Sequence, residues 1–455
     1  MMQRATSPEE LRSLLMNRHT SGTVEHLLRY LPAPTSNWLC AVLFGEEEEL
    51  TAAQRQELVE DPVAGQILQQ IAQTQLQLRG TLLQLFSPVE LLHTKRGTAF
   101  LNVLLSAPEP DSKVDKKELR LVFDTVRKQI VSKLEEMCAD RNANFVVQRL
   151  LQLIPFCAED PKAMVTQFVK DMGGADALVR LAAEPIGVHV VLTLIDVAVA
   201  CGAGDEVGSL LLKRVSPEEM IAHNQGQLVV RRLLPLVAVK RSAVGTELST
   251  LLSNKWVDYA FDSMGNLVVQ DYLKALGTAG ASKCAATLVK DTNLLRMSQN
   301  ASASHVVFTL LDLVDGPTQT SLCNALKGVV VQLSTHINGR FIVEKLLRLS
   351  REVRDELVKQ FLFLVQSKGT QHMLCTLLTC IDGRGRQHVI QGIIVPNLMA
   401  IATDASGSVN LQKMMQSDAE VLQAVQKAIS ATGARTPLLQ NFFGKFVVRI
   451  AEGGQ

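Results

Sequence analysis

Apolar residues recur along the chain in one phrase: a small residue, two variable positions, two apolar positions, two variable positions and two apolar positions. Successive copies start about 30 to 46 residues apart. Because the apolar positions lie three, four, seven and eight residues after the small one, the phrase predicts one face of an α-helix rather than a strand. The copies begin at Gly22, Gly65, Gly97, Ala143, Gly187, Gly226, Gly265, Ala303, Gly339, Gly369, Gly407 and Gly444.

The spacing between copies leaves room for one or two further helices, such as DELVKQFLFLVQ from Asp355 and AEVLQAVQKAIS from Ala419. The leading small residue is expected at the helix start, where a cap or a tight backbone approach is needed. Units of this length that bury their apolar faces against their neighbours form α-solenoids. The sequence therefore predicts an all-α fold, an α-solenoid that is a curved superhelix of about 11 to 12 repeats. The alternative is two unrelated helical domains that share an amphipathic rhythm.

Three stretches interrupt the rhythm and suggest how the chain is divided. SAPEPDSKVDKKELR from Ser106 contains proline and many charges, and is typical of an exposed loop. The predicted segments are divergent repeats over 1–106, this loop over 107–120, and the main array over 121–455. GTAGASK from Gly277 and SATGARTP from Ser430 are predicted to be short connections.

Composition limits the possible classes of function. The chain has 455 residues, 47% of them hydrophobic, and a net charge of +1, so any surface that attracts nucleic acid must be local. The eight cysteines are scattered without a C-x-x-C pair, which favours a reducing compartment. We expect no secretory signal and no membrane association, because the N-terminus lacks an apolar core and no apolar stretch is long enough to span a bilayer.

Catalytic and metal-binding motifs are not recognisable in the sequence. CGAGDEVG from Cys201 is one residue too long for G-x-G-x-x-G and is predicted to be a loop, and GRGR from Gly383 is a weak phosphate signal in a loop. His372 lies near Cys375 and Cys380, but further zinc ligands are missing, so these are interpreted as packing residues. We therefore expect no enzyme activity, no cofactor and no metal.

The variable positions carry the strongest functional signal. We call the residues one, two and five after the small residue the first, middle and last positions of a rung, and the rungs of the array together the ladder. A middle apolar or aromatic residue between hydrogen-bonding or basic residues provides what an unstacked base needs, a face and an edge partner. The candidate RNA-binding residues are Asn144, Phe145, Gln148, Gln227, Leu228, Arg231, Asn266, Leu267, Gln270, Ser304, His305, Arg340, Phe341, Glu344, Ser408, Val409, Gln412, Lys445, Phe446 and Arg449.

At these residues the sequence resembles the pumilio (PUF) repeat family, and ANFVVQ from Ala143 and GNLVVQ from Gly265 are the nearest matches. The resemblance implies helices that line the inner surface of a superhelix and bind about one base per repeat. It implies uracil readers at Asn144 with Gln148 and at Asn266 with Gln270. An adenine reader is implied at Ser408 with Gln412.

Other rungs depart from the family pattern and indicate looser recognition. They are Val188, His189 and Leu192; Ser304, His305 and Phe308; and Thr370, Gln371 and Leu374. About a dozen irregular copies resemble the divergent nucleolar branch, the nucleolar-protein-nine type. That resemblance implies binding of ribosomal RNA precursors during small-subunit assembly.

Basic residues accompany the ladder and favour contact with phosphates, while Asp271 and Glu344 oppose it. The basic residues are Arg149, Arg231, Arg232, Lys345, Lys413, Lys445 and Arg449. The expected protein is a monomeric, non-enzymatic RNA-binding solenoid of the nucleolus, with pre-rRNA and pre-ribosomal proteins as partners. The alternatives are a cytoplasmic mRNA regulator of the same family and an armadillo-like or HEAT-like scaffold that binds proteins.

Overall fold

Helices are the regular elements throughout the part of the chain that the structure describes. The structure, a computed structural model, describes residues 51–74, 78–92, 94–106, 116–289 and 293–453, with single positions at 13 and 17. The copy of the phrase at Gly22 and most of the loop predicted over 107–120 lie outside these residues. The described residues form two compact units, which divide after Leu248.

The first unit contains helices α1 to α14 and the beginning of α15, numbered from the first helix within the described ranges. Their bounds are α1 Ala52–Glu60, α2 Ala64–Thr74, α3 Arg79–Leu85, α4 Pro88–Leu91, α5 Lys95–Leu104, α6 Lys116–Ile130, α7 Leu134–Ala139, α8 Asn144–Cys157, α9 Pro161–Asp171, α10 Gly174–Ala183, α11 Gly187–Ala200, α12 Gly204–Leu212, α13 Pro217–Ile221, α14 Gly226–Leu233 and α15 Ala243–Phe261.

The second unit contains the rest of α15, helices α16 to α30 and a π-helix at His388–Ile394. The bounds are α16 Gly265–Val289, α17 Asn293–Gln299, α18 Ala303–Leu313, α19 Gly316–Lys327, α20 Val330–Thr335, α21 Gly339–Leu349, α22 Arg351–Lys359, α23 Phe361–Val365, α24 Gln371–Cys380, α25 Gly383–Gln387, α26 Leu398–Thr403, α27 Ala405–Ser417, α28 Ala419–Thr432, α29 Arg435–Gln440 and α30 Gly444–Ala451.

Each described copy of the phrase forms one helix, which we call a motif helix. In the first unit the motif helices are α2, α5, α8, α11 and α14, and each packs against the next in this order. In the second unit they are α16, α18, α21, α24, α27 and α30, again packed in sequence. This stacking of corresponding helices defines an α-solenoid and confirms the predicted fold class.

The apolar quartet of each motif helix builds the core between neighbouring repeats. In α16 the quartet is Val268, Val269, Tyr272 and Leu273, and all four side chains are buried. In the second unit the quartets of α18, α21 and α24 join one continuous apolar cluster, together with three residues each of α27 (Leu411, Met414 and Met415) and α30 (Val447, Val448 and Ala451). Each repeat therefore buries its apolar face mainly against its neighbours, which is the arrangement expected of an array.

The small residue that opens the phrase lies against the backbone of the preceding short helix. A Cβ atom placed on Gly226 would lie 2.5 Å from the Met220 carbonyl oxygen, and one on Gly407 would lie 2.4 Å from that of Ile401. Both distances are shorter than non-bonded carbon–oxygen contacts in proteins. The two positions therefore have room for the Cα hydrogens of glycine but not for a side chain. The tight approach expected from the sequence is therefore present.

Side chains three residues before the small residue cap several motif helices. The Asp140 carboxylate accepts hydrogen bonds from the backbone N–H groups of Asn142 at 2.8 Å and Ala143 at 2.7 Å. Asp262 does the same for Met264 and Gly265 ahead of α16. Because the first N–H groups of a helix have no partner within it, these caps fix where each motif helix begins.

Several local predictions were wrong in their boundaries. GRGR is not a loop, because it forms the start of α25, capped by the Asp382 carboxylate. CGAGDEVG is a turn only as far as Ala203, since α12 begins at Gly204. Residues 116–120, assigned to the exposed loop, are the first turns of α6.

Two predicted connections and one predicted helix also differ from the structure. GTAGASK is reduced to a kink at Gly277, where φ is 65°, and the residues after it are helical. DELVKQFLFLVQ does not form a single helix, because it is divided between α22 and α23. SATGARTP is a connection only at Gly433 and Ala434, because Ser430 to Thr432 end α28 and α29 begins at Arg435; Gly433 has φ of 68°.

Candidate nucleic-acid interface

The three rung positions differ in exposure in the same way from repeat to repeat. The first position faces inward, the middle position faces solvent, and the last position lies at the boundary between them. This follows from helix geometry, because the first position lies beside the buried quartet and the middle position points away from it. The first-position residues that are buried are Asn144, Gln227, Asn266, Ser304 and Ser408, while Arg340 and Lys445 are partly exposed.

The middle positions place apolar and aromatic side chains on the surface. Phe145 is 58% exposed, Phe341 52% and Val409 55%, although residues of these types are usually buried. The remaining candidates at this position are exposed or partly exposed Leu228, Leu267, His305 and Phe446. The last-position residues Gln148, Arg231, Gln270, Glu344 and Gln412 are partly exposed, and Arg449 is exposed.

The Asn144 side chain is used within the protein. Its Nδ2 donates to the carbonyl oxygens of Asp140 at 2.7 Å and Arg141 at 3.0 Å, and its Oδ1 accepts from Gln148 Nε2 at 2.8 Å. Asn144 is 3% exposed. Its hydrogen-bonding groups therefore connect the start of α8 to Gln148, and Gln148 provides the polar surface of this rung.

The same arrangement occurs in the second unit. Asn266 Nδ2 donates to the carbonyl oxygens of Asp262 and Ser263, and its Oδ1 accepts from Gln270 Nε2 at 3.1 Å. Asn266 is 5% exposed. The two rungs that most resemble the pumilio signature thus share one internal hydrogen-bond pattern.

The rungs of α27 and α14 show two variations. The Ser408 hydroxyl donates to the Phe443 carbonyl oxygen and accepts from Gln412 Nε2 at 2.9 Å. Gln227 Nε2 donates to the Asn224 carbonyl oxygen, while its Oε1 is buried without a hydrogen-bond partner. A buried acceptor without a partner destabilises the fold, so the rung of α14 is less well satisfied than the rungs of α8 and α16.

An open depression lies between the rungs of α8 and α11. It has a volume of about 680 Å³, and its lining includes Phe145, Gln148, His189 and Arg141. This volume is within the range of about 300 to 1,000 Å³ that is typical of small-ligand sites. Two exposed flat side chains, an amide and a guanidinium therefore border one open space.

Cations lie on the aromatic faces of the second unit. Arg340 Cζ is 5.0 Å from the ring centroid of Phe341. Lys445 Nζ lies over the rings of Phe442, at 4.6 Å, and Phe446, at 5.2 Å. Cation–π contacts of this kind hold positive charge beside exposed rings, where a nucleotide could meet both.

Two other basic residues predicted along the ladder, Arg232 and Lys345, are already paired with carboxylates. Arg232 forms an ion pair with Asp196 at 3.2 Å. Lys345 pairs with Asp312 and lies over the Phe308 ring. The positive charge available to phosphate is therefore smaller than the number of basic residues suggests.

Glu344 is the acidic residue of the ladder. Burial raises the pKa of this carboxyl above its ordinary value, while nearby His372, Arg340 and Arg348 act in the opposite direction. The carboxylate is thus less stable in its charged form than a fully solvated one.

The copy of the phrase in α24 is shifted by one residue from its predicted position. The buried quartet is Met373, Leu374, Leu377 and Leu378, so the small-residue position belongs to Thr370 rather than Gly369. The rung is then Gln371, His372 and Cys375, with His372 exposed. The spacing of the quartet carries this information in the sequence, whereas the glycine misled the assignment.

Three further residues border the candidate surface although they were not among the candidate RNA-binding residues: His189, in the middle position of the α11 rung, and two threonines next to the rungs. His189 lines the depression, and Thr193 and Thr309 contact last-position glutamines of the preceding repeats. Val188, in the first position of its rung, is buried and apolar. No residue-type signal distinguishes these threonines, because their contacts depend on how adjacent motif helices pack.

Within the described ranges, no group of three or more His, Cys, Asp or Glu side chains is placed to hold a metal ion. No helix in this part of the chain is long and apolar enough to cross a bilayer. The described cysteines are free thiols.

Comparison with known proteins identifies the fold. No family model and no curated protein sequence matches the chain. Among solved structures, PUF-8 in complex with PBE-RNA matches with a TM-score of 0.57 at 16% identity, covering 76% of this chain and 95% of that chain. The Puf4 RNA-binding domain bound to an HO endonuclease 3′ UTR recognition sequence matches with a TM-score of 0.54 at 17% identity, covering 73% and 97%. APUM23 with GGAAUUGACGG and its insert region deleted matches with a TM-score of 0.57 at 14% identity, covering 96% of both chains.

Proposed function

We propose that this chain, which has the fold of the pumilio RNA-binding domains, is a non-enzymatic protein that binds single-stranded RNA through its ladder. The observation that carries the proposal is the series of exposed middle-position side chains on motif helices that pack consecutively within each unit. Exposed rings and apolar side chains in such a row provide stacking surfaces for successive bases.

The last positions supply the polar part of the proposed surface. Gln148 and Gln270 carry amides that can pair with base edges, and Arg449 and Lys445 carry charges that attract phosphate. The depression between Phe145 and His189 gives a flat base a space bordered by two planar side chains and an amide. The buried first-position residues support this surface from below, since Asn144 and Asn266 are satisfied internally.

Replacement of Phe145 and Phe341 by alanine tests the proposal. We expect each change to weaken binding of single-stranded RNA at least about fivefold, since stacking of one base on an aromatic side chain contributes about 1 to 3 kcal/mol. Titration of a labelled pool of random RNA oligonucleotides measures the effect. Because both side chains are largely exposed, circular dichroism and thermal unfolding should remain unchanged.

Phe363 provides the matched control for this experiment. It is 55% exposed but lies on α23, which is not a motif helix. Phe363→Ala removes an equally exposed ring and should leave RNA affinity unchanged. Equal losses for Phe363→Ala and Phe341→Ala would show that exposed rings in general, and not the ladder, affect binding.

We further propose that the RNA is pre-rRNA and that the protein acts in the nucleolus during small-subunit assembly. Support comes from the long array, because APUM23 matches 96% of this chain whereas PUF-8 matches 76%. The degenerate rungs also resemble the divergent nucleolar branch more than regular mRNA-binding members.

Crosslinking the protein to RNA in cells and sequencing the bound RNA tests this assignment. Enrichment of ribosomal RNA precursors is expected, together with nucleolar fluorescence of a tagged chain. Recovery of 3′ UTR fragments instead would favour an mRNA regulator, and absence of RNA would favour a scaffold that binds proteins.

A further inference from the structure

Two glutamines of the ladder are held from both sides, by their own repeat and by the next one. Thr193 of α11 lies with its Oγ1 3.2 Å from Gln148 Oε1 on α8. Thr309 of α18 lies with its Oγ1 3.2 Å from Gln270 Oε1 on α16. Both threonines lie six residues after the small residue of their repeats, so one geometry occurs in both units.

The orientation of the Gln148 amide follows from the hydrogen bonds of Asn144. Both Nδ2 hydrogens of Asn144 are donated to backbone carbonyl oxygens, so its Oδ1 is the atom that faces Gln148. That oxygen accepts only a donor, which places Gln148 Nε2 beside it and turns Gln148 Oε1 toward Thr193. Asn266 and Gln270 follow the same logic.

The threonine hydroxyl completes the restraint without consuming the amide. Thr193 Oγ1 also lies 2.9 Å from the carbonyl oxygen of His189, and Thr309 Oγ1 lies 2.9 Å from that of His305. The single hydroxyl hydrogen can therefore point to either acceptor. The amide keeps one free N–H and one free oxygen lone pair for a ligand.

We infer that Thr193 and Thr309 are positioning residues that hold the Gln148 and Gln270 amides in one orientation and thereby determine which pyrimidine these rungs prefer. The inference rests on the proposed RNA-binding function. It concerns selectivity between bases, whereas the exposed rings provide affinity.

The chemistry of base edges explains why orientation matters. Uracil presents an N–H donor at N3 beside an acceptor at O4, whereas cytosine presents an acceptor at N3 beside a donor at N4. An amide that rotates by 180° about its last bond pairs with either edge. An amide held in one orientation forms hydrogen bonds with the edge of one of these bases. On the edge of the other base it places donor against donor and acceptor against acceptor.

Gln412 gives a contrasting case within the same chain. Ser408 anchors its Nε2, but the corresponding position of the next repeat is Ile450, which has no hydroxyl group. We expect this rung to depend on one anchor only, and therefore to discriminate less between the two pyrimidines.

The test combines Thr193→Val with Thr309→Val and measures the ratio of the Kd values for oligouridylate and oligocytidylate of equal length. Valine keeps the shape of the side chain and removes the hydroxyl group. The wild-type ratio should differ from one. The double variant should move it at least about twofold toward one, because each of the two rungs loses one ordinary hydrogen bond.

Two further variants provide controls. Thr193→Ser with Thr309→Ser keeps the hydroxyl groups and should retain the wild-type ratio. Thr403→Val removes a hydroxyl group that makes the same bond to a carbonyl oxygen four residues earlier, but on α26, which is not a motif helix. This variant should behave like the wild type.

The outcomes separate the inference from the proposed function. If the wild-type protein binds neither oligonucleotide, the proposed function fails and the inference fails with it. If it binds but the valine variant keeps the wild-type ratio, the inference alone is overturned. An equal loss of affinity for both oligonucleotides also overturns it, because that result indicates a structural role, which thermal unfolding would reveal.

Discussion

Glu344 occupies the last position of its rung, partly buried beside His372, Arg340 and Arg348. Burial raises the pKa of Glu344 above its ordinary value, so the folded state binds a proton more tightly there than the unfolded state does. The free energy of unfolding therefore falls as pH rises from the ordinary pKa through the folded pKa. At pH values below the ordinary pKa, the contribution of Glu344 to the free energy of unfolding is fully present.

We expect Glu344→Gln to remove this dependence and to stabilise the protein at neutral pH. The gain should be less than about 1 kcal/mol, because solvent screens a partly exposed group. Urea unfolding at pH 5 and pH 8 measures it, and the variant should lose less stability between the two than the wild type. Parallel pH profiles for the two proteins would contradict the prediction.

Residue identities alone revealed the polar edge of the ladder but not which residues reach solvent. Asn144 and Gln148 are one helical turn apart and look equivalent in sequence. Their difference arises from packing, because Asn144 lies toward the turn that precedes α8 and bonds to its carbonyl oxygens. A test that replaces Asn144 therefore changes the start of the helix as well, and Phe145 is the cleaner target.

At the scale of helices, the motif helices that open on glycine start with a close backbone approach. Gly407 is an example: a Cβ atom added to this residue would lie only 2.4 Å from the Ile401 carbonyl oxygen. Alanine has the higher intrinsic helix propensity, by about 1 kcal/mol. If glycine is required at this position, the steric overlap that alanine introduces must cost more than alanine gains in helix propensity.

We therefore expect Gly407→Ala to destabilise the protein by about 1 to 3 kcal/mol, since α26 and α27 must move apart to relieve the overlap. Gly383→Ala is the matched control, because Gly383 also lies near a helix start but nothing is within 4 Å of its Cβ position. Chemical denaturation of both variants measures the difference. A stabilised Gly407→Ala protein would show that the approach is easily relaxed.

The motif helices were predictable because their apolar quartets combine period and composition. The short helices between them were less so, since α25 begins with GRGR and α23 has only five residues. Propensity disfavours glycine in a helix, and here the Asp382 cap and the packing of the array override it. The shift at Thr370 has a similar cause, because Gly369, with φ of 80°, belongs to the turn before the helix.

At the scale of the whole molecule, the repeat period was sufficient to predict the solenoid. The division after Leu248 lies within α15, a continuous helix. No change in composition marks this point, so the sequence does not indicate it. The boundary predicted at 106 remains a prediction, and the one predicted at 120 lies inside α6, which begins at Lys116.

The nearly neutral charge of the whole chain limits how strongly RNA binding depends on salt. With 46 basic and 45 acidic residues, the net charge is +1, and ion pairs such as Arg232 with Asp196 neutralise part of the basic surface. RNA affinity should therefore depend on few phosphate contacts, and the slope of log K against log salt concentration should be shallow. For single strands each phosphate contact contributes about −0.7 to this slope.

Lys445→Ala should make the slope shallower by about 0.7, because this lysine lies beside the exposed rings of the last rung. Lys359→Ala changes the net charge equally, but Lys359 lies on α22 and pairs with Glu356. Its slope should equal that of the wild type. Titrations at several salt concentrations compare the three proteins, and an equal change in both variants would mean that net charge, rather than the ladder, attracts the RNA.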